Sequence, residues 1–156
     1  VRIYLPIFVA RQLGKHQVGF SWSEVSRRYV KGAPDLHTPE YYRNAAENVK
    51  QGSTEDTNIC NEVFSMVTFS QAESALRHYE DMINSGVCPE QARMILPQSM
   101  YTTAVWTGTL LGWHNLTDQR TDPHAQLETR EYAEALYDLM AEIFPKSWDA
   151  LKANGR

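Results

Sequence analysis

Cysteine is nearly absent: the 156 residues hold only Cys60 and Cys88, too few for a disulfide framework and without metal-ligand spacing, so a reducing compartment is expected. No apolar run approaches the roughly 18 residues that a membrane span needs. The first residues do not read as a signal peptide. Internal repeats, low-complexity tracts and a His-Glu-x-x-His pattern are all missing, and His114 and His124, ten apart, make no metal site. Positive charge is in deficit: 15 Lys and Arg against 19 Asp and Glu give a net charge of −4, which disfavours a non-specific nucleic-acid binder. An initiator Met is absent too. The chain opens in an extended-looking Val1-Arg-Ile-Tyr-Leu5, and an N-terminally incomplete record is the expected reason.

What is present describes an ordinary globular protein, 42% hydrophobic and 22% charged. A chain of this length buries roughly two-thirds of its extended surface, so residues 1–156 are expected to form a single domain. Residues 1–5 alternate like the end of a strand, and Pro6 suits the first turn of a helix running to about Gly14. Glu24 to Val30 reads as a short strand, and 32–58 as a surface excursion with a helix at Glu40–Lys50. A long helix is predicted from Asn61 to Ser85, with Phe69, Ala72, Leu76, Tyr79 and Ile83 on one stripe and Gly86 as its stop. A short helix from Pro89 to Leu96, a strand from Met100 to Trp106 and a helix from Thr109 to Gln119 follow. The last helix is expected to open at Asp122-Pro123, present Tyr132, Leu136, Leu139, Met140 and Ile143, and end before Pro145. The class is α+β, with helices packed around a small mixed or antiparallel sheet.

Chemistry-bearing side chains concentrate in Gln12-Leu-Gly-Lys15-His16-Gln17 and in Ser23-Glu24-Val-Ser26-Arg27-Arg28-Tyr29. Arg28 could grip a phosphate with two prongs and Ser26 could donate a hydroxyl; the same cluster also reads as a solvated strand with its charges in water. A second segment runs from His114 through Asn115, Gln119, Arg120, His124 and Gln126 to Glu128, joining the end of one helix to the start of another. A cation at the helix C-terminus is favoured there, so Arg120 is either a cap or a group aimed at a ligand. Pro89-Glu-Gln-Ala92-Arg93-Met-Ile-Leu96-Pro97 is, alone, a helix bounded by prolines in which Arg93 needs no function.

In order, Ile7-Phe-Val-Ala-Arg-Gln12, Lys15-His16-Gln17, Ser26-Arg27-Arg28-Tyr29, Ala92-Arg93 with Leu96-Pro97, and Arg120 to Gln126 resemble the flavin-dependent thymidylate synthases over nearly the whole chain. The resemblance implies the thymidylate synthase-complementing type of fold and methylation of dUMP to dTMP, with methylenetetrahydrofolate as carbon donor, reduced FAD as hydride donor and NADPH to reduce the flavin. It implies a dUMP site of Gln12, Lys15, Glu24, Ser26, Arg27, Arg28, Arg93 and Arg120, with Arg28 and Arg93 near the phosphate and Arg120 on the uracil as the catalytic residue. Lys15, His16, Gln17, Glu24 and Asn115 would contact FAD. It further implies a homotetramer with shared active sites, in the cytoplasm of a bacterium or a virus-infected host cell, without nucleic-acid or membrane partners.

The chain departs from that pattern in places. Lys15 and Gln17 stand where the family's triplet has arginines; lysine keeps the charge without the fork, and glutamine keeps neither. Ser23 stands where asparagine is usual, and Thr109 and Leu111 replace a flavin-binding asparagine and arginine. A catalytically weakened nucleotide-binding or oligomerising member is therefore the alternative. A thiolate mechanism is a further rival, since Cys88 directly precedes a helix start, the kind of place where nucleophilic thiolates are found.

Overall fold

The computed structural model describes residues 1–47 and 52–153. Strand β1 (Arg2–Pro6) runs straight into α1 (Ile7–Leu13), with Pro6 as the cap residue. Two N–H groups at the helix start find carbonyls outside it: Ile7 donates to Met100 and Phe8 to Gln98. β2 (Phe20–Glu24), β3 (Arg43–Ala45) and β4 (Ser53–Thr57) precede the long α2 (Asn61–Asn84). Then come α3 (Pro89–Ala92) with a 3₁₀ turn over Arg93–Ile95, β5 (Tyr101–Gly108), α4 (Leu110–Arg120), α5 (Leu127–Ile143) and α6 (Pro145–Ala153).

The central sheet has the order β1-β5-β2 and is antiparallel throughout, with Ile3 opposite Ala104 and Trp22 opposite Trp106. Its buried face (Ile3, Leu5, Ala104 and Trp106) meets Val9 and Leu13 of α1, Trp113 and Leu116 of α4, Leu136 and Met140 of α5, and Trp148 of α6. Each valine, leucine, isoleucine or methionine among them contributes about 1.5–3 kcal/mol on burial. β3 and β4 form a separate two-stranded ribbon. Phe20 lies flat over the backbone where β5 ends: a Cβ at Gly108 would fall 2.4 Å from its ring, so only glycine fits beneath it.

The α+β expectation holds, and so do the bounds of α1, α2, α4 and β5 within a residue or two. Other expectations are corrected. The strand lies at Phe20–Glu24 rather than 24–30, because Tyr29 N–H donates to Ser26 O and closes a turn there. Within residues 40–47 the predicted helix at 40–50 gives way to β3, and the rest of that prediction, 48–50, lies outside the described residues. α5 opens at Leu127 rather than at Pro123, because Asp122 Oδ1 accepts from His124 N–H in a local turn and Gln126 takes the cap position. His124 therefore precedes the helix instead of lying in its first turn. The buried stripe of α5 is Thr129, Ala133, Leu136 and Met140, with Ile143 exposed. On α2 only Tyr79 is buried, and Phe69 is exposed. No expectation covered α6, which buries Trp148.

Candidate functional site

Where α1 meets the edge of the sheet, a cavity of about 730 Å³ opens between Arg11, Gly14, Lys15, His16 and Gln17 on one side and Phe20, Trp22, Glu24 and Trp106 on the other. Its aromatic wall is braced from behind. Trp22 and Phe20 both pack on Trp106, with centroids 4.8 and 5.0 Å apart, and Phe20 meets Trp113 edge-on at 4.8 Å. Cationic side chains on one rim and flat rings on the other suit a planar heteroaromatic ligand that carries negative charge. Glu24 ends β2, and its Oε1 accepts from Thr102 Oγ1 at 3.0 Å.

A second, polar cavity of about 850 Å³ is lined by Gln12, Arg43, Ser53, Asp118, Arg120, Asp122, His124 and Gln126 among others. Arg120 closes α4 and is anchored from two sides. Its Nε–H donates to His16 Nε2 at 2.9 Å, and a terminal N–H donates to the Gln12 carbonyl at 3.3 Å. Gln12 then hands its amide N–H to Gln126 Oε1, and Gln126 donates to Glu128 Oε2 at 2.8 Å. Arg43 completes the relay with one terminal nitrogen that donates to both Glu128 carboxylate oxygens at 2.9 and 3.0 Å, while its Nε–H donates to Ser53 Oγ at 2.8 Å.

A third, smaller cavity of about 240 Å³ collects Glu24, Ser26, Arg27 and Arg93. Beside it Arg28 Nε pairs with Glu90 at 3.3 Å; both side chains are about half exposed, so the pair is weak. Arg93 Nε–H donates to the Glu90 carbonyl at 3.3 Å. Arg27 reaches back to the Gly32 carbonyl.

Residues 1–146 match the family described as thymidylate synthase complementing protein. The chain belongs to that family. Among curated relatives, the flavin-dependent thymidylate synthase of Aquifex aeolicus is 38% identical over 136 residues, which cover 86% of this chain and 43% of that protein. Those of Thermosipho africanus and Thermus thermophilus are 31% and 35% identical, covering 93% and 94% of this chain. The chain spans 64% and 53% of their lengths. A crystal structure of a UMP/dUMP methylase, PolB, from Streptomyces cacaoi bound with 5-Br UMP superposes with a TM-score of 0.87 over 99% of this chain and 72% of that one. At 23% identity it shows that the fold is shared.

Within this thymidylate synthase complementing fold, the expected flavin residues Lys15, His16, Gln17 and Glu24 line one cavity. Asn115 does not join them: it is exposed on α4 and lines neither large cavity. The expected dUMP residues divide three ways. Gln12 and Arg120 face the polar cavity, Lys15 and Glu24 the aromatic one, and Ser26, Arg27 and Arg93 the small one, with Arg28 alongside. Among the described residues one chain thus spreads them over three cavities, with Glu24 lining both the aromatic and the small one. The sequence reading missed Arg43, Ser53 and Glu128 as supports of Gln12, and missed the ring wall of Phe20, Trp22 and Trp106. Alternation of Phe20 and Trp22 in a strand was the available signal for the wall. Nothing local marks Arg43, whose partner lies 85 residues away.

The Arg43–Glu128 pair is well shielded, each side chain only 14% exposed. Burial alone would raise the Glu128 carboxyl; its own backbone N–H, Gln126 and Arg43 outweigh that and hold it below the ordinary glutamate range. A lowered folded-state pKa contributes stability that is complete above the unfolded value, about 4.3, and is lost as pH falls through the folded value. Glu128→Gln should therefore lower stability at pH 7 by about 1–3 kcal/mol, since it weakens hydrogen bonds made to a charged group. Urea midpoints should differ from the parent at pH 7 and converge as pH falls below the ordinary glutamate range; a constant difference would place the contribution elsewhere.

Proposed function

We propose that this chain carries most of the active-site residues of a flavin-dependent thymidylate synthase, which methylates dUMP to dTMP with methylenetetrahydrofolate as carbon donor. The observation that carries the reading is Arg120, held by His16 and the Gln12 carbonyl at the mouth of a polar cavity, on a chain of this family. C5 of uracil is a poor nucleophile. A guanidinium beside the ring stabilises negative charge at N3 and its carbonyl neighbours, and so raises electron density at C5. Gln12, fixed by Gln126, offers a neutral amide next to it. Arg93, Arg28 and Ser26 are the groups for the phosphate, which would displace Glu90 from Arg28.

The aromatic cavity suits FAD in its ring wall and in the cations Arg11 and Lys15 that line it. Lys15, His16, Gln17 and Glu24 are the residues that would hold it. Reduced FAD supplies the hydride when bound, with NADPH as the reductant. Because the proposed residues are spread over three cavities of one chain, a homotetramer that completes each site from several subunits is part of this reading.

One observation favours a weakened nucleotide-binding member instead. Thr109 spends its hydroxyl capping α4, accepting from Gly112 N–H at 3.1 Å, and Leu111 is exposed without a polar group to offer. The two readings part in one assay: tritium release from C5-labelled dUMP by the natural full-length chain, with pre-reduced FAD and methylenetetrahydrofolate. Release above background, with flavin retained on the protein, is expected; flavin-free protein without release means the weakened form. Cys88 is exposed, and its thiol donates to Gln91 Oε1 at 3.5 Å. Cys88→Ala should keep release within a few-fold of the parent. Abolished release with dUMP affinity intact would bring the thiolate mechanism forward.

A further inference from the structure

Arg120 and His16 line different cavities yet touch through the wall between them. From that contact we infer that His16 is a positioning residue for Arg120: its Nε2 accepts the Arg120 Nε–H and so aims the rest of the guanidinium at the polar cavity. The inference rests on the methylation reading above and assigns His16 a task besides lining the flavin cavity.

The geometry supplies the argument. An arginine has five N–H donors in a rigid fork. Two are spent here, one on His16 Nε2 and one on the Gln12 carbonyl. For the other three no hydrogen bond is made among the described residues, and Arg120 lines the polar cavity. The holding side is itself rigid, because Gly14 N–H donates to Ala10 O at 2.8 Å, Lys15 N–H to Gln12 O and His16 N–H to Leu13 O. A ring nitrogen that accepts carries no proton, so His16 must be neutral with its proton on Nδ1. Its surroundings enforce that state. Burial first, and the Arg120 charge second, hold the His16 ring below the ordinary histidine range. Arg11 and Lys15 from α1 and its following turn add positive charge, while Glu24 from β2 is the acidic group across the cavity. Protonation of His16 would leave two cations face to face with no acceptor between them, and Arg120 would swing away.

The test compares His16→Leu and His16→Gln in the natural full-length chain, by single-turnover dTMP formation at saturating dUMP with pre-reduced flavin. Leucine removes the acceptor; glutamine keeps a neutral acceptor of similar reach. His16→Leu should be at least about tenfold slower, the scale of a displaced catalytic group. With rates compared at equal bound flavin, His16→Gln should recover part of that loss and lack the acid limb that the parent shows below the usual histidine range. A leucine variant at the parent rate overturns the inference. Nitrogen NMR of the His16 ring decides it independently of turnover. An Nδ1–H tautomer at neutral pH, whose pKa rises in Arg120→Ala, is expected. An Nε2–H tautomer, or a titration indifferent to Arg120, sinks the inference even if dTMP forms. A parent that makes no dTMP but shows the expected tautomer condemns the methylation reading alone.

Discussion

Arg120→Ala is expected to slow dTMP formation by at least about 100-fold, the scale for losing one group that stabilises charge as it develops. The guanidinium's benefit is larger for the reacting form than for bound neutral substrate, because negative charge appears on the pyrimidine as N3 gives up its proton, which readies C5 to attack the one-carbon unit. Its preorganisation strengthens the effect: α4 ends at Arg120, and two hydrogen bonds to α1 and its following turn fix the fork before any ligand arrives. Arg120→Lys should recover only part of the rate, since one ammonium cannot both satisfy His16 and the Gln12 carbonyl and face the pyrimidine. Flavin content and subunit mass should not change. The measurement is single-turnover dTMP formation at saturating dUMP with pre-reduced flavin. If Arg120→Ala forms dTMP at the parent rate, the residue only caps α4.

Arg120 also marks the boundary of what the sequence made legible. Its place at a helix end could be read from the capping Thr109 and the polar run after Gln119, because those signals act within a few residues. Gly86, with φ of 86°, stopped α2 for the same local reason. The Arg120 contact with His16 spans 104 residues, and the Gln12–Gln126 bond spans 114, so neither has a local trace. Family resemblance named these residues as a set without saying which of them meet.

Misread elements failed for physical reasons. β3 and β4 are Arg-Asn-Ala and Ser-Thr-Glu-Asp-Thr, with no apolar alternation to announce a strand. They persist by pairing with each other and through Arg43, whose guanidinium ties the ribbon to Glu128 at the start of α5. Asp122 looked like a helix cap, but its carboxylate serves the N–H and the ring of His124 two residues on, delaying the helix to Leu127. In both places a side-chain contact overrode the local signal.

The largest loss of all is expected from Val67→Asp. α2 runs for 24 residues, yet Tyr79 is its one buried residue among those described. Its first turns expose Val63, Met66, Val67 and Phe69, while Phe64 leans edge-on against Tyr42 at 6.0 Å. An apolar row of that length facing water on a single chain calls for a second protein surface, and in the proposed tetramer another copy of this chain supplies it. A carboxylate at Val67, 53% exposed in the single chain, is harmless to the isolated fold, because aspartate and valine have similar helix propensity. Buried between subunits without a partner, the same charge costs several kcal/mol, and assembly weakens by orders of magnitude. Light scattering at micromolar concentration should therefore show monomer mass with unchanged far-ultraviolet circular dichroism. Turnover should fall below detection, further than in Arg120→Ala, because each chain spreads the proposed residues over three cavities, Gln12 and Arg120 in one, Lys15 in another, and Ser26 with Arg93 in the third. A Val67→Asp protein with the parent's mass would free this face of any role in assembly. A monomer that still made dTMP would show that one chain completes its own site.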